Sequence, residues 1–597
     1  MNKKRNLIFL VIDSLSYSTL NKYPFKNELF INNFIKKHSM NYENVYTQGP
    51  YTEASMNGLA YGQQALDYGS FMYSHSRCNH SFVDAIHKDY TTFCSGMSCR
   101  LFIDHSKKSF DKFHYHFYTP TTLPTLQWNR INHFCALNKK RNLSALETQC
   151  LKNLIEYALN DTITFLENFL IKKYETSLSN SLISIEDVRN LLSKTKKELN
   201  SFHKNESAFI KKVLSSEIDF SKFDFKYNVE YQNPTIVKEI FDLYRPLLLN
   251  QMKNNITFSA DVFRLYMNNL KNMSISKNNN FCIEFLKYIT SAKRKRNNIK
   301  TTYDKLLIPN NNVKRAVSFN ACLSQIEDFL LTNKNNEKPF FVYCQPDDYH
   351  PPATFWSYDS SDQCIIKAEL EDALKLAKRF KKNQANIFDY LSLNYIDKKI
   401  ESLFVFLKNK GLLETTDVVL TADHGSWFFN NATRLDESLI MTEERMHIPC
   451  MFFRLGQKPS VDNSLHCSYS IPNSILKFMN YEEDEYFYGK SFDSDENEFL
   501  LSENLGFGCP DIFNVPINYV VHNKKYKLNI KVNFNENLGL KNCVGFYDLE
   551  NDPLEQINQI KKAKKKYKNL LKIMLSFAEE RHSVVCSKVT KENFYLI

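Results

Sequence analysis

One stretch constrains this chain more than any other: Val418 to Gly425, VVLTADHG. A short β-branched run leads into Asp423 and His424, then a glycine. Such a run reads as a strand buried on both faces, the pattern of a parallel sheet. An acid at the end of a buried strand is costly unless something binds it, so Asp423 and His424 read as ligands handed to a site. The N-terminal NLIFLVIDSL has the same shape, a strand over 7–12 delivering Asp13. Two more segments are expected to converge there. KPFFVYCQPDDYHPP, at 338–352, gives a strand followed by Asp347, Asp348 and His350. GPYTEASMNGL, at 49–59, places Thr52 ahead of a helix over 53–61.

The chain has 597 residues, room for several domain-sized units, and its 43% hydrophobic and 24% charged content is that of a globular protein. No apolar run is long enough to predict a transmembrane helix. The start, MNKKRNLIFLVIDSL, mimics a signal peptide, but its apolar run is short, Asp13 interrupts it and no cleavage site follows, so it reads as the first core strand. The 14 cysteines show no close pairing or metal-ligand spacing, which fits reduced thiols and a cytoplasmic location. The net charge of +11 suits an anionic substrate or an anionic membrane face. No segment resembles a nucleic-acid module, and nucleic acid is not an expected partner.

All 13 glycines lie at or before Gly96 or at or after Gly411. The stretch between carries apolar residues at helical spacing, with 233–255 its clearest amphipathic helix. It reads as a large helical insertion that roofs the cleft. Around it, helices are expected at 26–38, 365–382 and 387–410, strands at 339–344 and 447–453, and a hairpin at 518–533. The tail 561–580 reads as a basic amphipathic helix, packed on the last domain or docked on a membrane surface. The layout is therefore 1–124 first part of a core, 125–313 helical insertion, 314–495 second part of the core, and 496–597 a C-terminal subdomain.

Taken in order, the strand-borne Asp13, the KPFF…H-P segment, the DHG strand and the phrase FYDLENDPLEQINQI at 546–560 resemble the sulfatase/alkaline-phosphatase superfamily. The resemblance covers about 1–100 and 315–560. It implies an α/β/α sandwich with a mainly parallel sheet, the insertion, and a small C-terminal α+β subdomain. Two departures matter. Sulfatases carry two acids where this chain has Asp13-Ser14. Their nucleophile arises as formylglycine from Cys or Ser in a Cys/Ser-x-Pro-Ser-Arg motif, whereas here the segment is Thr52-Glu53-Ala54-Ser55-Met56, and threonine is not converted. The segment resembles instead the threonine-nucleophile branch of phosphodiesterases, phosphoethanolamine transferases and phosphoglycerol transferases.

The resemblance implies one divalent metal ion (Zn, Mn, Mg or Ca) held by Asp13, Thr52, Asp423 and His424. Thr52 would be the nucleophile and His350 would bind a phosphoryl oxygen or protonate the leaving group. Asp347 and Asp348 are candidates for a second ion. His447 is either a substrate or metal contact or a core histidine. Arg434 and Arg445 could neutralise substrate charge. The expected reaction is phosphodiester hydrolysis, or transfer of a phospho-substituent to a glycan or lipid-linked glycan. The alternatives are a sulfuric ester hydrolase and an inactive relative that binds anionic glycans. The expected substrate is an anionic phosphate or sulfate ester linked to a glycan.

Overall fold

The computed structural model describes residues 4–70, 78, 80–96, 110–114, 131, 134–135, 138–139, 141–172, 185–215, 319–333, 337–346, 348–349, 363–380, 387–426, 441–494, 497–506, 512–591 and 594. The helix expected at 233–255 and the candidates Asp347, His350 and Arg434 lie outside them.

An eight-stranded sheet forms the centre. Its strands are β1 (Asn6–Val11), β2 (Ser39–Tyr46), β3 (Thr91–Gly96), β4 (Lys112–His114), β5 (Phe340–Gln345), β6 (Thr416–Thr421), β7 (His447–Phe453) and β8 (Ser460–Cys467). They lie in the order β4-β3-β5-β1-β6-β7-β2-β8, and only β7 runs against the rest. Every residue of β5 and β6 is buried, as a sheet covered on both faces requires. The fold is thus mixed α/β with a mainly parallel central sheet.

The described helices are α1 (Tyr17–Lys22), α2 (Thr52–Tyr61), α3 (Phe82–Ile86), α4 (Ala145–Lys172), α5 (Ile185–Lys204), α6 (Glu206–Leu214), α7 (Phe319–Asn333), α8 (Gln363–Arg379), α9 (Ile387–Asn409), α10 (Glu443–Met446), α11 (Ile471–Phe478), α12 (Ile560–Lys566) and α13 (Lys568–Lys588). Among them, none is long and apolar enough to cross a membrane. The described cysteines are free thiols.

A second, antiparallel sheet follows the first in sequence: β9 (Leu500–Asn504), β10 (Ile517–His522), β11 (Tyr526–Val532) and β12 (Cys543–Asp548), in the order β12-β11-β10-β9. Its buried face, with Tyr519, Val521, Leu528 and Ile530, shares one apolar cluster with Leu571, Met574 and Ala578 of α13 and with Leu151, Leu154 and Ile155 of α4. The described helices of the 145–214 stretch therefore pack into the same core as the small sheet.

Two expected helices differ in form. Over 26–38 the chain makes a 3-10 turn at Lys26–Glu28, a π turn at Ile31–Ile35 and a second 3-10 turn at Lys36–His38. The Asp397 carboxylate on α9 accepts from the Phe30 and Ile31 amides at 2.7 and 2.9 Å, so those donors are capped from outside instead of continuing a ladder from the first turn. The expected tail helix is two, α12 and α13, parted at Tyr567. Tyr567 stacks against Phe546, with ring centroids 5.6 Å apart, which ties the break to β12.

Parallel register positions the site. Leu10 pairs with Leu420 and Val11 with Thr421, and the Ile12 amide donates to the Thr421 carbonyl at 2.8 Å. Asp13 and Asp423 therefore stand two residues beyond the last pair on neighbouring strands, at one height. On the other side Leu10 pairs with Cys344, so Gln345 ends β5 at the same edge. β2 runs in the same direction as β6, and its end feeds the loop to α2.

Candidate active site

The strand ends bring Asp13, Asp423 and His424 together, all buried, with one ligand atom from each within 4.8 Å of the others. Thr52 closes the group. Its Oγ1 lies 3.3 Å from His424 Nε2 and 3.5 Å from Asp13 Oδ2. The local fold explains why it points there. Thr52 is the first residue of α2, after Tyr51 in extended conformation, so its hydroxyl stands at the positive end of a ten-residue helix.

His424 Nδ1 contacts the Gly425 carbonyl at 2.8 Å. A carbonyl can only accept, so Nδ1 carries the proton and Nε2 presents its lone pair to the cluster. Burial lowers the His424 pKa; Asp423 works against that shift and Arg445 with it. A neutral imidazole is the form that ligates a metal.

The carboxylates are tied by groups that motif reading did not single out for the site. Ser14, at φ +64, donates its amide to Asp423 Oδ1 at 3.0 Å and its hydroxyl to Asp13 Oδ1 at 2.9 Å. Gln345 Nε2 lies 3.3 Å from both Asp13 Oδ2 and Asp423 Oδ2. The Tyr343 hydroxyl bonds to Gln345 Oε1, which fixes which end of the amide faces the acids. The signal for Gln345 was its place at the end of a buried apolar strand, overshadowed by the acids that follow it.

Two buried carboxylates with a neutral imidazole beside them make a donor set for a divalent cation. Two adjacent buried negative charges are costly without one. The set fits a divalent metal ion.

The structure does not bring His447 into this group. Its Nε2 bonds to the Glu43 carbonyl at 2.7 Å, and its ring stacks between Tyr17 and Tyr46 at 4.1 and 4.5 Å. Burial lowers its pKa to about 4, against the pull of the Glu43 carbonyl, so it is neutral. Arg445, on α10, is buried beside the cluster. Its carbonyl accepts from the Gly425 amide at 2.7 Å, and its charge acts on Asp423, Tyr51 and His424.

Residues 243–481 of the chain match the sulfatase family model. That match agrees with the mainly parallel α/β fold above. It supports a sulfatase/alkaline-phosphatase-like assignment. The match covers less than half of the chain and begins after Asp13 and Thr52, so those two residues rest on the geometry of the site. No curated protein sequence matches the chain. Among solved structures it is similar to Ps i-CgsB, with 11% identity over 99% of this chain and 96% of that one and a TM-score of 0.46. It is also similar to BT4656 in complex with its substrate D-glucosamine-2-N,6-O-disulfate, with 14% identity, 99% and 100% coverage and a TM-score of 0.45. A protein in the alkaline phosphatase superfamily from Vibrio parahaemolyticus gives 10% identity, 89% and 78% coverage and a TM-score of 0.42. These likenesses are too distant to carry a residue's role across.

Proposed function

We propose that this chain is a metal-dependent phosphoryl-transfer enzyme acting on an anionic, glycan-linked phosphodiester, with Thr52 as the nucleophile. The observation that supports this most is Thr52 Oγ1, buried at a helix N-terminus, 3.3 Å from His424 Nε2 and 3.5 Å from Asp13. A threonine hydroxyl is a weak nucleophile until its proton is taken or its oxygen is bound to a cation.

Asp13, Asp423 and His424 would hold one divalent ion with Thr52. When bound, that ion supplies positive charge and lowers the pKa of a coordinated hydroxyl. Ser14 and Gln345 keep the carboxylates oriented. Thr52 Oγ1 gives up its proton to solvent and forms a bond to phosphorus as the bond from phosphorus to the alcohol oxygen breaks. The leaving oxygen takes a proton from solvent, and the α2 amides face the charge that develops. Water, or an acceptor hydroxyl, then displaces Thr52 and completes hydrolysis or transfer.

Sulfuric ester hydrolysis is the second reading, and the sulfatase family match favours it. The residue at the nucleophile position favours the first, because threonine does not yield formylglycine. The experiment is a panel of aryl sulfate, phosphate monoester and phosphate diester substrates with Mn, Zn, Mg and Ca, run on the full chain and on Thr52→Ala. Diester turnover that falls at least about 10³-fold in Thr52→Ala, with metal still bound, supports the proposal. Turnover of sulfate esters alone, or turnover indifferent to Thr52, overturns it.

A further inference from the structure

The nucleophile turn carries no cation of its own. Met56, four residues after Thr52, is wholly buried in the main core, its sulfur 3.9 Å from the Tyr343 hydroxyl. Yet the transferring group of a phosphate or sulfate ester carries negative charge on its non-bridging oxygens, and a water-excluded site must meet that charge with donors. The cation at the cluster comes from a different element. Arg445 lies on the four-residue α10, which is pressed against the metal-ligand loop. A Cβ added at Gly425 would stand 1.9 Å from the Glu444 carbonyl oxygen and 3.0 Å from Arg445 Cα. The Gly425 amide bonds to the Arg445 carbonyl, and the Thr47 amide to that of Met446 at 2.8 Å.

The other side of α10 is held by the small C-terminal domain. Glu555 belongs to the phrase FYDLENDPLEQINQI and sits at φ +53, an unusual backbone conformation for a residue other than glycine. Its carboxylate accepts the Glu443 amide at 2.6 Å and pairs with Lys527 of β11 at 2.7 Å. The Lys527 ammonium also lies 3.7 Å from the Glu443 carboxylate, which accepts from the Tyr46 hydroxyl at 2.9 Å. Lys527 is almost fully buried. The first residue of α10 is thus clamped from the second domain, while Arg445, two residues on, lies against the cluster.

We propose that Arg445 binds the non-bridging oxygens of the ester, and that the C-terminal domain sets it there through Glu555. The idea rests on the reading of Thr52, Asp13, Asp423 and His424 as the reaction centre. It assigns a catalytic residue on a turn that links the domains, and it makes Glu555 a positioning residue. The Gly425 and Thr47 amides hold the end of α10 on the site side, and Glu555 holds its start from the C-terminal domain.

The test measures inorganic phosphate and, separately, sulfate binding to manganese-loaded full-length protein by calorimetry. Arg445→Met, Arg445→Lys, Glu555→Gln and Thr52→Ala are compared with the unaltered chain. Arg445→Met is expected to weaken anion binding about 10- to 100-fold with manganese affinity and melting temperature kept, and Arg445→Lys to recover part of the loss. Glu555→Gln is expected to weaken anion binding and raise KM more than it lowers kcat. Three results would overturn the proposal: equal anion binding by a folded, metal-loaded Arg445→Met; loss of manganese together with the anion, which would make Arg445 only a counter-ion of the carboxylates; or no binding of either anion by the unaltered chain. Retained ester turnover in Thr52→Ala would remove the threonine reading while the anion titrations still judged Arg445. Arginine-dependent binding of sulfate but not phosphate would uphold Arg445 and move the substrate class to sulfate esters.

Discussion

Thr52 and His424 show how little separates an ordinary capped helix from a reactive group. A threonine at a helix start is common, and a buried histidine bonded to a carbonyl is common too. Here the two lie against each other and against buried carboxylates. Asp13 and Asp423 are fully buried, and Ser14 and Gln345 supply their neutral donors. Neutral donors and the single charge of Arg445 do not cancel two charges and a neighbouring ester anion as well. Adding a divalent metal is therefore expected to raise the melting temperature, by a free energy near 2.7 kcal/mol at a hundredfold excess over the dissociation constant. Asp423→Asn should abolish most of that rise while the metal-free protein melts no lower. A metal-independent melting curve, followed by scanning calorimetry, would count against the cluster as a cation site.

The turn of α10 packs tightly against the metal-ligand loop. At Gly425 even a methyl group would meet backbone of Glu444 and Arg445, which cannot turn aside as a side chain can. Gly425→Ala is expected to push α10 off the ligand loop and to lower metal affinity by about 10-fold or more, judged against the 10- to 100-fold typical of lost supporting contacts. Unchanged affinity by metal titration would show that the turn can slide. The seam between β2, β7 and the small sheet is a ladder of rings, Tyr17, His447, Tyr46 and His522, with successive centroids 4.1, 4.5 and 4.2 Å apart. Burial, with Lys527 and His447 nearby, lowers His522 to about 3. The unfolded chain binds a proton near pH 6.5 that this imidazole refuses until about 3, so its contribution to stability is complete above 6.5 and is lost as pH falls below it. Buried acids such as Asp397, raised to about 6 chiefly by burial, act oppositely in the same range. The clean readout is therefore the stability difference between the unaltered chain and His522→Gln in urea melts. That difference should shrink by a few kcal/mol between pH 7 and 4.5. A constant difference would show that His522 accepts a proton in place.

At the scale of the whole molecule, ion pairs stitch the two sheets where apolar contact alone would leave them free to slide. Arg581 of α13 bonds to Glu503 of β9, and its Nη1 lies 2.7 Å from Asp67 in the loop beyond α2. Glu503 in turn accepts the Leu66 amide at 2.9 Å. All three residues are nearly or wholly buried. Arg581→Met leaves Glu503 without its cation and Asp67 with only Lys588, 3.9 Å away, and is expected to destabilise the fold by about 3–5 kcal/mol, read in denaturant melts. A loss under about 1 kcal/mol would mean that water reaches the pair.

Sequence alone determined the elements whose burial is uniform. The apolar runs of β1, β5, β6 and β7 state their type and length, because a strand covered on both faces is apolar along most of its length. The parallel α/β class follows from them. So does the presence of acids at strand ends, since a lone charge after an apolar run stands out. What only the tertiary structure decided depends on pairing between distant segments. Asp13 and Asp423 share a height because Val11 pairs with Thr421, 410 residues later, and no local pattern encodes that register. Gln345, one residue past the expected strand 339–344, faces the acids because Tyr343 holds its amide. The 26–38 helix broke because Asp397, far along the chain, took its amides. The descent of Arg445 and Glu555 onto one short turn is of the same kind. Periodicity reports which side chains a segment buries, whereas a site is made by which segments are buried together.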